Sequence, residues 1–248
     1  MNLVCFSHLR WGFVYQRPQH LLSRFAREYT VFYIEEPMFG AEADCLVLTL
    51  TEEHVQVVVP NLRGEADDTV EGRMMVLLDD FFLENDPARS IFWYYTPMAL
   101  PFTQHYNPRI VVYDCMDELS AFKFAPPMLS ELEEELLAKA DIVFTGGHSL
   151  YEAKKHLHNN IHAFPSSIDK AHFGKARNAG IDPGDQFDIP HPRLGFSIST
   201  GTGCTGLSCY GVYGDILFSN YCRPLIILKT IRNIFRLSTA AASRYSFA

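Results

Sequence analysis

Between residues 1 and 165 the chain returns again and again to short, unbroken apolar runs, spaced by longer amphipathic stretches. The runs are Leu3–Phe6, Val31–Ile34, Val55–Val59, Ile91–Tyr95, Ile110–Tyr113, Ile142–Thr145 and Ile161–Phe164. A strand with one face in water alternates apolar and polar side chains, whereas a strand covered on both faces is apolar throughout. Runs of the second kind restrict the chain to a parallel sheet with helices on both sides, because parallel neighbours need crossover connections. Helices are expected over Pro18–Glu28, Asp67–Phe82, Pro127–Ala140 and Ser149–His158. In the third, Leu129, Leu132, Leu136 and Leu137 form an apolar stripe against Glu131, Glu133, Glu134 and Glu135, so that helix lies on the surface with one edge toward the core. The predicted fold class is α/β, a doubly wound, mostly parallel sheet with ligands at the carboxyl ends of its strands.

The totals narrow the function. With 48% hydrophobic and 20% charged residues, the 248-residue chain has apolar material for a substantial core. A net charge of −8 argues against a general nucleic-acid binder, although local basic clusters can still hold phosphate. The six cysteines, at positions 5, 45, 115, 204, 209 and 222, include no Cys-x-x-Cys pair. Cys5 and Cys115 sit inside apolar runs, so buried free thiols and a cytoplasmic setting are expected. The amino terminus does not read as a signal peptide, and no stretch of about 18 uncharged apolar residues is present.

The composition changes along the chain. Residues 174–193 are punctuated by Gly174, Gly180, Pro183, Gly184, Pro190 and Pro192 and read as a linker, which bounds a first domain over residues 1–173. From Gly195 to Ala248 there is one acidic residue, Asp215, against five basic ones, whereas residues 1–194 hold 28 acidic and 16 basic residues. Within that tail Leu225–Leu237 can be drawn as a basic amphipathic helix. Such a helix either lies on an anionic membrane or packs on its own domain.

Three clusters can carry chemistry. The first apolar run opens into His8, Arg10, Trp11, Gln16 and Arg17, and a helix follows at Pro18. Proline suits a first helical turn, whose free N–H groups and positive dipole end attract anions. A phosphate- or sugar-bearing ligand is expected there, with Arg10 and Arg17 on phosphate oxygens and Trp11 offering a flat face. In the alternative reading the arginines are structural and pair with Glu35, Glu36 or Asp117. After Ile110–Tyr113 come Asp114, Asp117 and Glu118, which can bind sugar hydroxyls or supply a base for an acceptor hydroxyl. Asp117 is the first candidate base and His8 the second. The competing reading is loop capping and pairing with Arg10 or Arg17. The third cluster is the turn Thr145-Gly146-Gly147-His148-Ser149. Its glycines permit close backbone approach to a ligand, and Ser149 with Glu152 reads as an N-cap and capping box. The G-x-G-x-x-G fingerprint is missing, which disfavours a dinucleotide-dependent oxidoreductase.

These segments also carry a family resemblance. The stretch His8-Leu9-Arg10-Trp11 through Gln16-Arg17-Pro18-Gln19-His20-Leu21-Leu22, then Tyr33-Ile34-Glu35-Glu36-Pro37, Tyr94-Tyr95-Thr96-Pro97-Met98-Ala99, Val112 to Ser120, Phe144-Thr145-Gly146-Gly147 and Phe164-Pro165-Ser166-Ser167-Ile168-Asp169 resembles bacterial group 1 (family 4-like) glycosyltransferases, most closely the teichuronic-acid type. The resemblance runs from residue 1 to about Phe196 and covers the first of that family's two domains. It implies a Rossmann-like, acceptor-side lobe over residues 1–173 and an incomplete second lobe, a donor-domain remnant or an atypical tail, over residues 194–248. The implied reaction is of the hexosyltransferase type, moving a sugar from a nucleotide-diphosphate sugar to a cell-envelope glycan or lipid-linked acceptor. It implies no metal and no cofactor. It places the protein in the cytoplasm, with room for peripheral association at the inner face of the membrane. By the same resemblance Asp117 and His8 handle the acceptor proton. Arg10, Trp11, Gln16, Arg17, Asp114, Glu118, Gly146, Gly147 and Ser149 contact substrate. The family's Glu-x7-Glu donor pair has no counterpart after Gly195, and Glu28 with Glu36 spans a helix end and a strand, so little or no turnover is expected. A non-catalytic carbohydrate- or nucleotide-binding module that works with a partner subunit remains the alternative.

Overall fold

All seven apolar runs form strands, and all seven join one parallel array. The structure, a computed structural model, describes residues 1–166 together with Lys170, Gly174, Gly195–Phe196 and Cys209–Tyr210. In chain order the strands are β1 (Asn2–Phe6), β2 (Thr30–Ile34), β3 (Met38–Ala41), β4 (Cys45–Leu50), β5 (Val55–Arg63), β6 (Ser90–Tyr94), β7 (Ile110–Cys115), β8 (Ile142–Thr145) and β9 (Ile161–Ala163). The helices are α1 (Arg17–Phe25), α2 (Val70–Glu84), α3 (Leu129–Lys139) and α4 (His148–Lys154). The spatial order is β3-β5-β2-β1-β6-β7-β8-β9, with β4 on the other side of β5. The architecture is α/β, Rossmann-like and mostly parallel. The exception is β4, which runs antiparallel to β5 from Cys45 opposite Asn61 to Leu50 opposite Gln56.

Strand periodicity sorts the core into two layers. Val4, Phe6, Phe32, Ile34, Phe92 and Tyr94 face one side, where Met74, Leu78, Phe81 and Phe82 of α2 and Leu136 and Leu137 of α3 cover them. Leu3, Cys5, Val31, Tyr33, Ile91 and Trp93 face the other side, against Leu21, Leu22 and Phe25 of α1. Each such buried side chain contributes roughly 1.5–3 kcal/mol relative to exposure, and a one-residue register slip would exchange the two layers. The hydrophobic pattern therefore fixes register as well as fold.

Two departures from the expected pattern matter. The β3–β4 excursion was not anticipated: Leu46 to Leu50 is an apolar run, but Val47, Leu48 and Leu50 stand exposed on an edge hairpin. And β7 runs two residues beyond Tyr113, so Asp114 lies within the sheet, opposite Phe144, rather than in the loop after it.

The first strand lies between β2 and β6. The chain leaves β1 toward β2 on one side and later returns to β6 on the other, so the β1/β6 boundary is where strand order reverses. Ligands of open parallel sheets bind in the crevice outside the carboxyl ends at such a point. That edge carries His8, Thr96 and Asp117.

Among the described residues no helix is long and apolar enough to cross a membrane. Gly195–Phe196 pairs antiparallel with Cys209–Tyr210. The rest of the expected linker and second lobe, the 225–237 helix and residues 167–169 of the Phe164 to Asp169 motif lie outside the described residues.

Candidate functional site

At the carboxyl edge the loop after β1 is held mainly by its own side chains. Arg10 donates from Nη1 to Glu35 Oε2 at 2.9 Å and to the Glu36 carbonyl at 2.6 Å, and the Trp11 amide donates to Glu35 Oε1 at 2.7 Å. Glu35 is buried, so both of its oxygens need such partners. The Trp11 ring meets Tyr33 edge to face at 5.0 Å, and the Tyr33 hydroxyl donates to Ser7 Oγ and the Leu9 carbonyl. Gln19, buried in α1, accepts from the Gln16 amide at 2.9 Å and donates to the Trp11 carbonyl at 2.8 Å. Sequence reasoning passed over Gln19, although a polar residue on the apolar face of an amphipathic helix was a signal that it bonds inward.

These contacts answer several expectations. For Arg10 the alternative reading holds, since it pairs with Glu35. Trp11 and Gln16 take part in the packing and capping of the loop. Arg17 and Asp114 were expected to touch substrate, but they are 3% and 0% exposed and bind each other: Arg17 Nε donates to both Asp114 oxygens at 3.0 Å, and Nη2 lies 2.8 Å from Oδ1. Arg17 Nη1 also donates to the Phe164 carbonyl at the end of β9. This guanidinium ties α1 to β7 and to the residue that follows β9, and its burial leaves little of it for a ligand from solvent. Two extra residues of β7 turned Asp114 into the sheet, which explains the difference.

The glycine turn also resolves into structure. A Cβ on Gly146 would lie 2.4 Å from the Met116 carbonyl oxygen and 2.8 Å from its Cα. The approach of the β8 turn to the β7 loop is by itself enough to require glycine here. Gly147, by contrast, has open space around it and caps α4. Ser149 is exposed and sits inside the first turn rather than at the N-cap, which corrects the expected capping box. Replacing Gly146 with Ala is expected to destabilise the fold by about 1–3 kcal/mol, the usual range for overpacking, and to displace the loop that bears Asp117. Urea unfolding with amide chemical shifts of residues 116–120 checks both effects; an unshifted loop with unchanged stability would contradict the packing role.

Beneath that loop is an ion-pair network that the sequence did not announce. Lys154 of α4 lies 2.8 Å from Glu133 Oε2 and 2.9 Å from Glu118 Oε2, and the Tyr113 hydroxyl donates to Glu133 Oε1 at 2.6 Å. Burial works against the Lys154 charge, but the two carboxylates outweigh it and raise its pKa. Burial also pushes the neighbouring Cys115 thiol up to about 12, so it stays protonated and inert. Glu118 is thus an anchor for its loop. Farther along this loop, Phe124 is 87% exposed, and Phe122 is exposed as well.

His8 and Asp117 remain. His8 leaves the end of β1, half-buried, with its Nδ1 buried and without a hydrogen bond among the described residues. Burial lowers its pKa below the ordinary histidine value, while the Asp117 charge and the Tyr95 backbone pull it part of the way back. The imidazole is therefore neutral at pH 7 and able to accept a proton, with a carboxylate placed to stabilise the imidazolium that results. Asp117 itself is exposed. His8, after β1, and Asp117, after β7, lie close enough at the carboxyl edge for the Asp117 charge to act on the imidazole. Among the described residues no three His, Cys, Asp or Glu side chains gather as a metal site.

At the same edge the ends of β1, β2 and β6 and the start of α2 border an open cavity of about 290 Å³ lined mainly by apolar side chains.

No family model matches this chain, and no curated protein does. Solved structures resemble it. One is described as trehalose-6-phosphate from E. coli bound with UDP-2-fluoro glucose, at 14% identity over 74% of this chain and 52% of that one, with a TM-score of 0.49. Another is a sucrose-phosphate synthase from Thermosynechococcus elongatus, at 10% identity over 72% and 53%, with a TM-score of 0.49. A third is an alpha,alpha-trehalose-phosphate synthase (UDP-forming) from Burkholderia xenovorans in complex with glucose-6-phosphate, at 10% identity over 73% and 53%, with a TM-score of 0.48. The chain spans about half the length of these structures.

Proposed function

We propose that residues 1–166 form the acceptor-side lobe of a glycosyltransferase of the hexosyltransferase type, in which a nucleotide-diphosphate sugar gives its sugar to an acceptor hydroxyl. The observation that carries this reading is a half-buried His8, kept neutral by burial and within reach of the Asp117 charge, at the carboxyl edge that also bears an apolar cavity. The motif resemblance supports the reaction class, and the Asp117 charge acting on a buried imidazole supports the roles given to these two residues.

In this mechanism His8 takes the acceptor proton as the hydroxyl oxygen attacks the anomeric carbon and the nucleotide diphosphate leaves. Asp117 stabilises the imidazolium by its charge, which reverses the order of the two candidate bases. The Arg17–Asp114 pair, the Arg10–Glu35 pair and the Lys154 network hold the loops that carry these two groups, as positioning requires. The donor's nucleotide is handled by residues beyond 166 or by a partner, acting on a cell-envelope glycan or lipid-linked acceptor at the cytoplasmic face of the membrane. The segment after Gly195 holds a single carboxylate, Asp215, so slow transfer is expected from this chain alone.

A mass-spectrometric screen of nucleotide sugars against hydroxyl acceptors, with wild type and His8→Gln, tests the reading. Slow transfer that disappears in the variant is the expected result. Acceptor binding with no transfer from any donor, alone or with candidate partner subunits, would instead favour the non-catalytic module.

A further inference from the structure

The 290 Å³ cavity has a chemistry of its own. Its walls are Phe6, Ile34, Phe39, Met74, Met98 and Phe102, and its polar lining is Ser7, Thr96, Glu35 and Glu36. Most of those polar groups already have partners. Ser7 Oγ accepts from the Tyr33 hydroxyl and the Leu9 amide, Thr96 Oγ1 accepts from the Met98 amide, and Arg10 and Trp11 hold Glu35. Among the described residues no lysine or arginine lines the space. A phosphate entering it would meet two carboxylates, and the nearby guanidinium of Arg10 is already paired with one of them.

The size fits a modest occupant. An apolar cavity of about 150 Å³ takes up a benzene ring, so this one has room for a fused bicyclic ring or a short alkyl chain. Its position fits an acceptor. Ser7 and Thr96, which line it, are the chain neighbours of His8 and of Tyr95, whose backbone His8 contacts.

We propose that this cavity receives an uncharged, apolar group attached close to the acceptor hydroxyl, so that the acceptor is an amphiphilic alcohol or apolar glycoside and not a phosphorylated sugar. The proposal rests on the acceptor-side reading and deepens it by naming the substrate class. A prenyl diphosphate carrier places its phosphates between sugar and lipid, where these carboxylates would face them. Its chain therefore lies outside this cavity.

The test is calorimetric titration of the full chain with octyl glucoside below its micelle concentration, methyl glucoside and glucose 6-phosphate. Octyl glucoside is expected to bind at least about tenfold more tightly than either of the others, since each buried methylene adds to affinity. Val70→Phe and Met98→Trp, which fill the cavity from the start of α2 and from the loop after β6, are expected to weaken it at least about tenfold. His8→Gln is expected to keep the binding and lose the transfer. Equal binding of octyl and methyl glucoside, tightest binding of glucose 6-phosphate, or unaltered octyl glucoside affinity in folded Val70→Phe and Met98→Trp would each overturn the proposal. If both variants misfold, the wild-type ranking of the three ligands decides. Octyl glucoside binding without transfer sinks the reaction and leaves the cavity assigned; transfer without that binding sinks the cavity alone.

Discussion

Replacing Asp114 with Ala is expected to lower the stability of the fold by about 3–5 kcal/mol, the range for removing one member of a buried ion pair. The cause lies in what remains. Arg17 is 3% exposed on its side chain, and Asp114→Ala takes away the carboxylate that its buried guanidinium meets at 2.8 Å. Arg17→Met leaves the mirror problem, an Asp114 carboxylate at 0% exposure inside β7. Removing both charges with Arg17→Met and Asp114→Leu is expected to cost clearly less than the two single changes added together, because no unpaired charge is left buried. Urea unfolding of the three variants reads the outcome. Losses below about 1 kcal/mol for the single variants would mean that water reaches the pair, and the access of phosphate to Arg17 would then be open again.

The same pair shows why the fold could be read from the chain while much of the site could not. Strand and helix follow from local periodicity, and the seven apolar runs together with the Leu129–Leu137 stripe became the elements they suggested. Site roles depend on where a strand stops. Two more residues in β7 moved Asp114 from a loop that could meet substrate into a sheet that could not. Gly146 is similar: its sequence context suits a ligand-facing turn, but a contact with Met116, thirty residues away in the chain, decides its purpose. The Lys154–Glu133–Tyr113 network joins three elements, and no window of sequence contains it. His8 and Asp117 come within four residues of the predicted strand ends Phe6 and Tyr113, so parallel topology alone puts both at the carboxyl edge. β4 was missed: Cys45–Leu50 is uncharged and interrupted only by Thr49, but no neighbouring motif pointed to an edge hairpin.

His8→Gln is expected to reduce sugar transfer by about 10²- to 10⁴-fold, the contribution of a positioned general base, while acceptor affinity stays near the wild-type value. The pH dependence fixes the mechanism more tightly than the loss does. Burial disfavours the charged imidazole, so the acid limb of kcat/KM should fall below the ordinary histidine value of about 6.5. Asp117 pulls in the opposite direction. Asp117→Asn should therefore shift that limb to still lower pH and, by leaving the imidazolium unsupported, also reduce kcat. Stability must follow the same group with a definite sign. The folded pKa is lowered, so the unfolded chain binds the proton more readily. The contribution of His8 to stability is present above about pH 6.5 and is lost as pH falls toward the folded value. His8→Gln should flatten that part of the acid unfolding curve, which chemical denaturation at a series of pH values measures. An acid limb above pH 6.5, or one that Asp117→Asn moves upward, would place the base elsewhere on the carboxyl edge.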